Sequence, residues 1–380
     1  MKAMHLLNHY TDLTLTQDQE QAVRQLEDFL SQNNCPVFLL KGYAGSGKTT
    51  LLSGLISYLK EQKKTFQLMA PTGRAAKVIQ QKTGHEANTI HRTIYSFQNL
   101  KEVPQKTSED APSFHYVYEL STYSVDPDHL FIIDEASLVS DAYSENEFFR
   151  FGSGYLLRDL ISYSQVQNPE SRIKILFVGD PAQLPPVGMN SSPALDATYL
   201  AKHFQLTSQE VELKEVKRQS SAAGILAMAT ALRRSITSET FNDFQLPLRQ
   251  QDLIQLPVSR FMEYYAPLPE PKMLICYQNK TAQKLNRAIR KYRYPGQAQM
   301  QVGDRVIIAK NNPQLQLFNG EFAEIRAIGS RSESREVPIK NGEKVRLTWR
   351  HVELYRDDDT GGPHLQRFFL REFPLCRGRP

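Results

Sequence analysis

Cysteine is scarce in this chain, and its few copies lie far apart. Cys35, Cys276 and Cys376 are the only three among 380 residues, and none belongs to a C-x-x-C pair. Zinc sites and disulfide frameworks need closely spaced cysteines. The sequence therefore predicts neither a zinc site nor a disulfide-stabilised domain.

Long apolar runs are also missing. No stretch approaches the ~20 apolar residues that a membrane-spanning helix needs, and residues 1–16 lack the apolar centre of a signal peptide. These absences predict a cytoplasmic protein without a membrane partner. Internal repeats and low-complexity segments are absent too, so the 380 residues leave room for two or three globular domains.

Charge of one sign is present only in slight excess. The net charge is +5, with 40% hydrophobic and 23% charged residues. Such a composition is ordinary for a globular protein. The mild positive charge permits a nucleic acid partner but does not require one.

One motif stands out from this ordinary background. Residues 42–49 spell G-x-x-x-x-G-K-[ST], after an apolar run at residues 37–40 and before leucines at helical spacing. This strand–loop–helix context is the one in which such a loop binds the phosphates of a nucleotide. The predicted nucleotide contacts are Gly42, Ala44, Gly45, Ser46, Gly47, Lys48, Thr49 and Thr50. An ordinary glycine-rich turn before a helix would not need the Lys and Thr.

The charged and hydroxyl groups of this motif indicate ATP with Mg²⁺. Lys48 supplies a positive charge for the β- and γ-phosphates, and the Thr49 hydroxyl suits Mg²⁺. A second apolar strand, residues 130–134, ends in Asp134 and Glu135. Asp134 is the predicted second Mg²⁺ ligand, and Glu135 is the predicted base that activates the attacking water.

A third strand ends in the polar segment 179–188, which contains Gln183. If the three strands are neighbours in a parallel sheet, Gln183 emerges beside Asp134 and Glu135, within reach of a γ-phosphate. We therefore count Gln183 among the catalytic candidates.

The first half of the chain alternates short apolar strands with amphipathic helices, which predicts an α/β fold with a parallel sheet. The predicted strands are residues 37–40, 66–70, 130–134 and 174–178. The predicted helices are residues 17–30, 48–59, 74–82 and 155–163. Residues 96–129 break this rhythm and form either a hairpin or a surface loop.

The second half changes character along its length. Residues 225–232 and 282–289 have helical apolar spacing, and residues 273–276 resemble a buried strand. From residue 302 the period becomes two, with an Asn-Gly turn at residues 341–342, which predicts a small antiparallel barrel. Residues from 356 onward show no clear core pattern.

Taken together, these motifs resemble the superfamily 1 DNA helicases of the RecD-like branch, which move 5′→3′. The resemblance rests on residues 42–50, 134–137 and 179–188 and extends over about residues 13–330. Weaker matches in the expected order are residues 15–22 (glutamine motif), 70–76 (motif Ia), 89–91 (motif Ib), 213–219 (motif IV), and 302–306 with 318–320 (start of an SH3-like insertion).

The resemblance implies roles for further residues. Gln19 would read the adenine edge, and Arg218 would contact the γ-phosphate from the domain junction. The strand contacts would come from Pro71, Thr72, Arg74, Thr89 and His91. Single-stranded or forked DNA would be the partner, in DNA repair or recombination, and any partner subunits stay unidentified.

The resemblance also implies a domain division. Residues 1–218 would form a RecA-like ATP-binding domain, with residues 96–129 inserted as the strand-separating wedge. Residues 219–301 would form a partial second RecA-like domain, 302–352 an SH3-like β-barrel, and 353–380 a polar tail or a truncated return to the second domain.

Two late motifs of the family have no counterpart after residue 352: the Thr-x-His-Lys-x-Gln-Gly segment and the Thr/Ser-Arg segment. Their absence favours a fragment of a longer protein over a degenerate relative. It also leaves open a non-unwinding, DNA-binding ATPase subunit. A P-loop nucleoside kinase is a further alternative, but it would not need residues 179–188 or Arg218.

Overall fold

Six parallel strands form the centre of the first half of the protein. The computed structural model describes residues 5–105, 113–122, 126–145, 149–215, 223–238, 240, 253–270, 272–297, 299–308, 321–338, 344–356 and 364–372. The described residues up to Glu215 belong to one compact unit, and those from Ala223 to a second. Each unit is described by itself below.

The strands of the first unit, in chain order, are β1 (Val37–Gly42), β2 (Phe66–Ala70), β3 (Ala87–Thr89), β4 (Tyr95–Gln105), β5 (Ser113–Leu120), β6 (Leu130–Ile133), β7 (Phe149–Phe151), β8 (Lys174–Gly179) and β9 (Ser208–Leu213). Its helices are α1 (Gln17–Ser31), α2 (Lys48–Glu61), α3 (Gly73–Thr83), α4 (Ile90–Ile94), α5 (Leu156–Ser164) and α6 (Ala197–Phe204). The main sheet has the order β3-β2-β6-β8-β1-β9, and every neighbouring pair is parallel. The predicted parallel α/β fold is therefore confirmed.

Strands β1, β6 and β8 are apolar at successive positions because both faces of the sheet are covered. In β1, Phe38 and Leu40 pack into a core shared with α1, α2 and α3. Val37 and Leu39 point to the opposite face and pack into a second core shared with α4, α5 and α6. All four of these side chains are fully buried. The continuous apolar runs that predicted these strands are the result.

The four predicted strands and the four predicted helices of this unit are confirmed to within two residues. Strands β3 and β9 were missed. β3 has only three residues, and β9 at the sheet edge alternates polar with apolar residues, so neither contains the continuous apolar run of a central strand.

Residues 96–129 contain the predicted hairpin, so the alternative of a surface loop is wrong for the described residues. Strands β4 and β5 pair antiparallel, and β7 adds to β5 in parallel. The result is a separate three-stranded sheet of order β4-β5-β7.

The second unit contains α7 (Ala223–Thr237), α8 (Phe261–Tyr265) and α9 (Asn279–Arg293), followed by β10 (Arg305–Ile307), β11 (Phe322–Pro338), β12 (Lys344–Arg356) and β13 (His364–Glu372). The four strands form an antiparallel sheet of order β10-β11-β12-β13. Both predicted helices are present as parts of α7 and α9. The predicted Asn-Gly turn lies outside the described residues, and a closed SH3-like barrel stays a prediction.

Two expectations for this unit need correction. The strand predicted at residues 273–276 is not formed, and Met273 and Ile275 are 62% and 91% exposed. A β-prone run becomes a strand only where a neighbouring strand pairs with its backbone, and the described residues place none there. The domain boundary predicted at residue 352 falls inside β12, which continues to Arg356 because Val352 and Leu354 are buried and β13 pairs alongside. The division into four domains otherwise stays a prediction.

Across the described helices of both units, none is long and apolar enough to cross a bilayer.

A short 3-10 turn, Leu6–Tyr10, packs against α2, the helix that follows the P-loop of residues 42–49. The Tyr10 hydroxyl donates a hydrogen bond to the Leu51 carbonyl oxygen at 2.6 Å. A Cβ at Gly54 would lie 2.2 Å from the Tyr10 ring. Gly54 therefore sits in the middle of α2 because the tyrosine ring occupies the space that a side chain would need.

We expect Gly54→Ala to destabilise the protein, although Ala normally favours a helix over Gly by about 1 kcal/mol. The added methyl group displaces the Tyr10 ring, and such overpacking costs about 1–3 kcal/mol. Urea unfolding measures the difference. In a Tyr10→Ala background the same change should become neutral or stabilising, and a stabilising effect in the wild-type background would contradict this account of the contact.

Candidate functional site

The predicted site residues follow three neighbouring strands of the main sheet. β8 lies between β6 and β1, with Ile133 beside Phe177 and Lys41 beside Gly179. Because the three strands are parallel, their carboxyl ends lie side by side, and this row of strand ends is the edge at which the predicted site residues are found. The structure therefore brings together residues 42–49, the Asp134–Glu135 pair and the segment that contains Gln183.

The glycines of the P-loop are required by its backbone. Gly45 and Gly47 have φ angles of 81° and 89°, in the left-handed region that favours glycine. Gly42 has an ordinary φ but no room for a side chain, because a Cβ would lie 2.7 Å from Ser46 Oγ and 2.9 Å from Leu213 Cβ. The loop then runs directly into α2, whose first residue is Lys48. The N–H groups at that helix end and its dipole favour an anion.

The ammonium group of Lys48 is hydrogen-bonded to the loop. Its Nζ donates hydrogen bonds to the carbonyl oxygens of Gly42 at 2.7 Å and Tyr43 at 3.0 Å. The ammonium group is thereby kept on the side of the loop where phosphates bind in this motif. Its charge also reaches the carboxyl of Asp134, where it acts to lower the pKa.

Gln19 braces the P-loop from α1. It forms a capping box with Thr16, in which the Gln19 side chain accepts the Thr16 N–H at 2.9 Å. Its Nε2 donates to the Ser46 carbonyl oxygen at 2.8 Å, and a Cβ at Gly47 would lie 2.4 Å from that nitrogen. The structure thus places Gln19 directly against the nucleotide loop, while the predicted contact with adenine stays a prediction.

Asp134 and Glu135 form a pair whose charges oppose each other. Burial, and then the neighbouring charge of Glu135, raise the pKa of Asp134 to about 6. Glu135 has a φ of 51°, a left-handed conformation that is unfavourable for a residue with a side chain, and it ends the strand at once. The turn redirects the chain directly after Asp134, while the charge of Glu135 still acts on Asp134.

The donor set at this edge fits Mg²⁺. A hydroxyl from Thr49 and a carboxylate from Asp134 are hard oxygen ligands, and Mg²⁺ completes its shell with phosphates and water. A cation beside Asp134 would also offset the unfavourable burial of its charge. Within the described ranges, no cluster of three or more His, Cys, Asp or Glu side chains forms an all-protein metal site.

The segment after β8 presents an exposed loop at the same edge. Asp180 is 2% exposed, and its side chain accepts the Ala182 N–H at 3.0 Å. Gln183 is exposed, and its own N–H donates to the Asp180 carbonyl oxygen at 3.1 Å. Asp180 therefore shapes the turn that carries Gln183, and it is a contributor that sequence reasoning missed.

The residues predicted to contact the DNA strand follow β2 and β3, the next two β-strands of the main sheet. Ala70 lies beside Thr89 in the register of that pair, so residues 71–74 and 89–91 begin at one point of the edge. Thr72 and Thr89 are helix N-caps, accepting the N–H of Ala75 at 3.2 Å and of Arg92 at 3.1 Å. Arg74 is exposed at the start of α3. These five predicted residues therefore lie at the same edge as residues 42–49, with β6 and β8 between β2 and β1.

His91 is half-buried rather than fully accessible. Its ring centroid lies 5.0 Å from that of Phe151 and 5.6 Å from that of Tyr95. Burial lowers the pKa of His91, with the nearby Asp159 acting in the opposite direction. A neutral imidazole would contact DNA through a hydrogen bond and not through charge.

Arg218 lies outside the described residues, so its contact with nucleotide stays a prediction. The chain that leads toward it is held by Asp18, which sequence reasoning missed. The Asp18 carboxylate accepts the N–H groups of Lys214 at 2.6 Å and Glu215 at 2.9 Å. Its position beside Gln19 is the only signal in the sequence that could have indicated this role.

Comparison with known proteins supports an ATPase domain. A family model described as an AAA domain matches residues 14–148. Uncharacterized protein R530 of Acanthamoeba polyphaga mimivirus is 26% identical over 235 residues, which cover 59% of this chain and 43% of that protein. The ATP-dependent RecD2 DNA helicase of Deinococcus radiodurans is 27% identical over 195 residues, covering 51% of this chain and 21% of that protein. The chain spans less than half the length of these curated relatives.

Solved structures with similar chains include two Pif1 helicases. Bacteroides sp Pif1 in complex with ADP-AlF4 is 18% identical with a TM-score of 0.40, covering 95% of this chain and 80% of that chain. Pif1 helicase from Candida albicans is 16% identical with a TM-score of 0.41, covering 94% of this chain and 78% of that chain.

The matched family model and the loop geometry lead to one conclusion. Residues 42–49 join a buried parallel strand to a helix N-terminus, with Lys48 over the loop and paired carboxylates on a nearby strand. The chain contains a P-loop ATPase domain.

We expect Asp134→Asn to stabilise the nucleotide-free protein at neutral pH. The folded-state pKa of about 6 exceeds the ordinary 3.8, so the folded protein holds a proton that the unfolded chain releases. Wild-type stability therefore falls as the pH rises through that window, whereas the uncharged Asn avoids a loss worth about 1–3 kcal/mol. Urea unfolding in EDTA at about pH 4 and about pH 8 measures this difference.

The exposed acid Asp12 offers a control, since Asp12→Asn changes no buried charge. An Asp134→Asn protein whose stability relative to wild type is the same at both pH values would contradict the assigned burial of this carboxylate.

Proposed function

We propose that this protein is an ATP-dependent DNA helicase of the RecD-like type, coupling ATP hydrolysis to 5′→3′ movement along single-stranded DNA. The observation that carries the proposal is the strand order of the main sheet. The strands that precede residues 42–49, the Asp134–Glu135 pair and residues 71–74 are parallel members of one sheet, which supports a shared site at their carboxyl ends. The similarity to the RecD2 helicase and the motif resemblance support the same activity.

In this proposal the P-loop binds ATP·Mg²⁺. Lys48 and the N–H groups of the loop hold the phosphates, and Thr49 and Asp134 are the protein ligands of Mg²⁺. Glu135, which follows Asp134 in a left-handed turn, orients the attacking water and accepts its proton. Gln183 and Arg218 sense the γ-phosphate and link it to movement between domains.

DNA is held through its backbone in this proposal. Residues 71–74 lie at the start of α3, where N–H groups and the exposed Arg74 suit a phosphate. Thr89 and His91 extend the same edge beyond them. The hairpin β4–β5 begins directly after α4, which contains His91, and this position supports the proposal that the hairpin separates the duplex.

A non-unwinding, DNA-binding ATPase subunit is the second candidate. One observation favours it: within residues 223–238, 253–270 and 272–297 the structure has helices but no strand, so a second RecA-like sheet is not seen among them. Fork unwinding separates the two candidates. A helicase of the proposed type opens a fork with a 5′ single-stranded tail in the presence of ATP and leaves a fork with only a 3′ tail closed.

The outcomes of this assay are distinct. ATP turnover that single-stranded DNA stimulates, without opening of either fork, would favour the ATPase subunit. Opening of the 3′-tailed fork alone would overturn the proposed direction. Turnover that no DNA affects would overturn both candidates.

We expect Glu135→Gln to retain ATP binding and to lower the turnover rate by about a hundredfold or more, the usual contribution of a general base. Binding of a fluorescent ATP analogue and steady-state phosphate release measure the two properties. Glu20→Gln, an exposed acid on α1, is the control. Undiminished turnover in Glu135→Gln would show that another group activates the water.

Arg74→Ala should weaken binding to single strands of every sequence alike, because a backbone contact carries no base information. The slope of log affinity against log salt concentration should become shallower by about one unit, as expected when one phosphate contact is lost. Fluorescence anisotropy at several salt concentrations measures it. Arg172→Ala removes an exposed arginine that pairs with Asp128 just before β8, at the opposite edge of the sheet. The Arg172 variant should bind as wild type does, and a sequence-dependent loss in Arg74→Ala would contradict a backbone contact.

A further inference from the structure

The two ends of the three-stranded sheet meet at one buried carboxylate. Asp159 of α5 is 6% exposed. Its Oδ2 accepts the Tyr95 hydroxyl at 2.7 Å and the Ser153 N–H at 3.0 Å. Tyr95 is the first residue of β4, and Ser153 lies in the turn that follows β7. Asp159 therefore joins the beginning of the hairpin to the turn after its third strand.

Gly152 lies in close contact with this carboxylate. Gly152 has a φ of 47°, and a Cβ there would lie 2.3 Å from Asp159 Oδ2 and 2.8 Å from the Tyr95 ring. The Gly152 N–H donates to the Tyr118 carbonyl oxygen at 2.8 Å, which connects the turn to β5. All three strands of the small sheet are thereby linked to the contacts of Asp159.

Asp159 itself is fixed to the P-loop unit. On α5, Leu157, Leu160 and Ile161 are each at most 1% exposed and pack in the core beneath the main sheet. The small sheet has less support of its own, since β7 contributes only three residues and a two-stranded hairpin is marginally stable alone. A buried, hydrogen-bonded carboxylate at the root of the hairpin is therefore placed to hold its direction.

One of the residues predicted to contact DNA, His91, lies beside the point where the hairpin begins. Helix α4, which carries His91, ends one residue before Tyr95. The ring of His91 packs against both Phe151 of β7 and Tyr95 of β4. The hairpin root therefore adjoins a residue proposed to hold the DNA strand.

We propose that Asp159 is a positioning residue, which fixes the β4–β5 hairpin relative to the P-loop sheet so that DNA moved by the motor meets a rigid wedge. This inference rests on the proposed function, in which the hairpin separates the strands. The hydrogen bonds of Asp159 with Tyr95 and Ser153 lie far in sequence from residues 42–49. Among the described contacts, no hydrogen bond joins these residues to that loop. Loosening the Asp159 hydrogen bonds should therefore uncouple unwinding from ATP turnover and not stop turnover.

Two tyrosine variants provide a matched test. Tyr95→Phe removes the hydroxyl that donates to Asp159. Tyr199→Phe removes a hydroxyl that donates, also at 2.7 Å, to another buried carboxylate, Asp141, which Arg158 also pairs with. The two changes are chemically identical, but only the first lies at the hairpin root. Asp159→Asn, which keeps one acceptor oxygen, and Asp159→Ala complete the series.

Hydrogen–deuterium exchange of the full chain gives the first readout. We expect amides of β4, β5 and β7 to exchange about tenfold faster in Tyr95→Phe, the effect of losing one hydrogen bond to a charged group. Exchange in β1 and α2 should stay as in wild type, and Tyr199→Phe should leave the small sheet unchanged. Asp159→Ala should have a larger effect than Asp159→Asn. Unchanged exchange in the small sheet of Tyr95→Phe would overturn the inference.

The second readout is the number of base pairs opened per ATP hydrolysed on forked DNA. This ratio does not depend on the fraction of folded protein, so a merely structural role would not move it. We expect it to fall several-fold in Tyr95→Phe while ATP turnover on single-stranded DNA stays within about twofold of wild type. A parallel fall of both activities would overturn the inference. If the wild-type chain opens no fork, the proposed function fails, and the exchange measurement still decides whether Asp159 holds the hairpin.

Discussion

Parallel pairing of β6, β8 and β1 is the constraint on which the rest of the structure depends. The three strands are buried on both faces, so each must be apolar along its length, and polar groups can follow only where the strands end. Because the strands are parallel, those ends coincide at one edge. The loop of residues 42–49, the carboxylates and the Gln183 turn are thereby assembled from segments far apart in the chain.

The site carries unfavourable features that the buried sheet must hold in place. Asp134 is kept beside a second carboxylate, so burial and like charge raise its pKa. Glu135 adopts a left-handed backbone, and Gly42 and Gly47 are hemmed in by Leu213 and Gln19. Such features persist only where the surrounding structure fixes them. They are the form expected of a site that binds a cation, whose positive charge relieves the repulsion between the two carboxylates.

The proposed nucleotide site and the proposed DNA contacts lie at the same edge of the main sheet. Asp134 directly follows β6, and β6 lies beside β2. Residues 71–74 directly follow β2. β3 comes next, and it leads through α4 into the hairpin. A change at the nucleotide site can therefore reach the hairpin root through adjoining strands and one short helix, and Asp159 is the residue that fastens that root to the core.

The sequence alone determined the α/β class, the P-loop, the paired carboxylates and most elements of the first unit, because buried parallel strands and amphipathic helices leave strong apolar patterns. Tertiary structure decided what such patterns do not contain. The edge strand β9 and the failed strand at residues 273–276 depend on whether a partner strand is present. The contacts of Gln19 with Ser46, of Asp18 with Lys214, and of Asp159 with Tyr95 join residues far apart in the chain. Only the folded chain brings those pairs together, since hydrogen bonding depends on distance in space and not on separation in sequence.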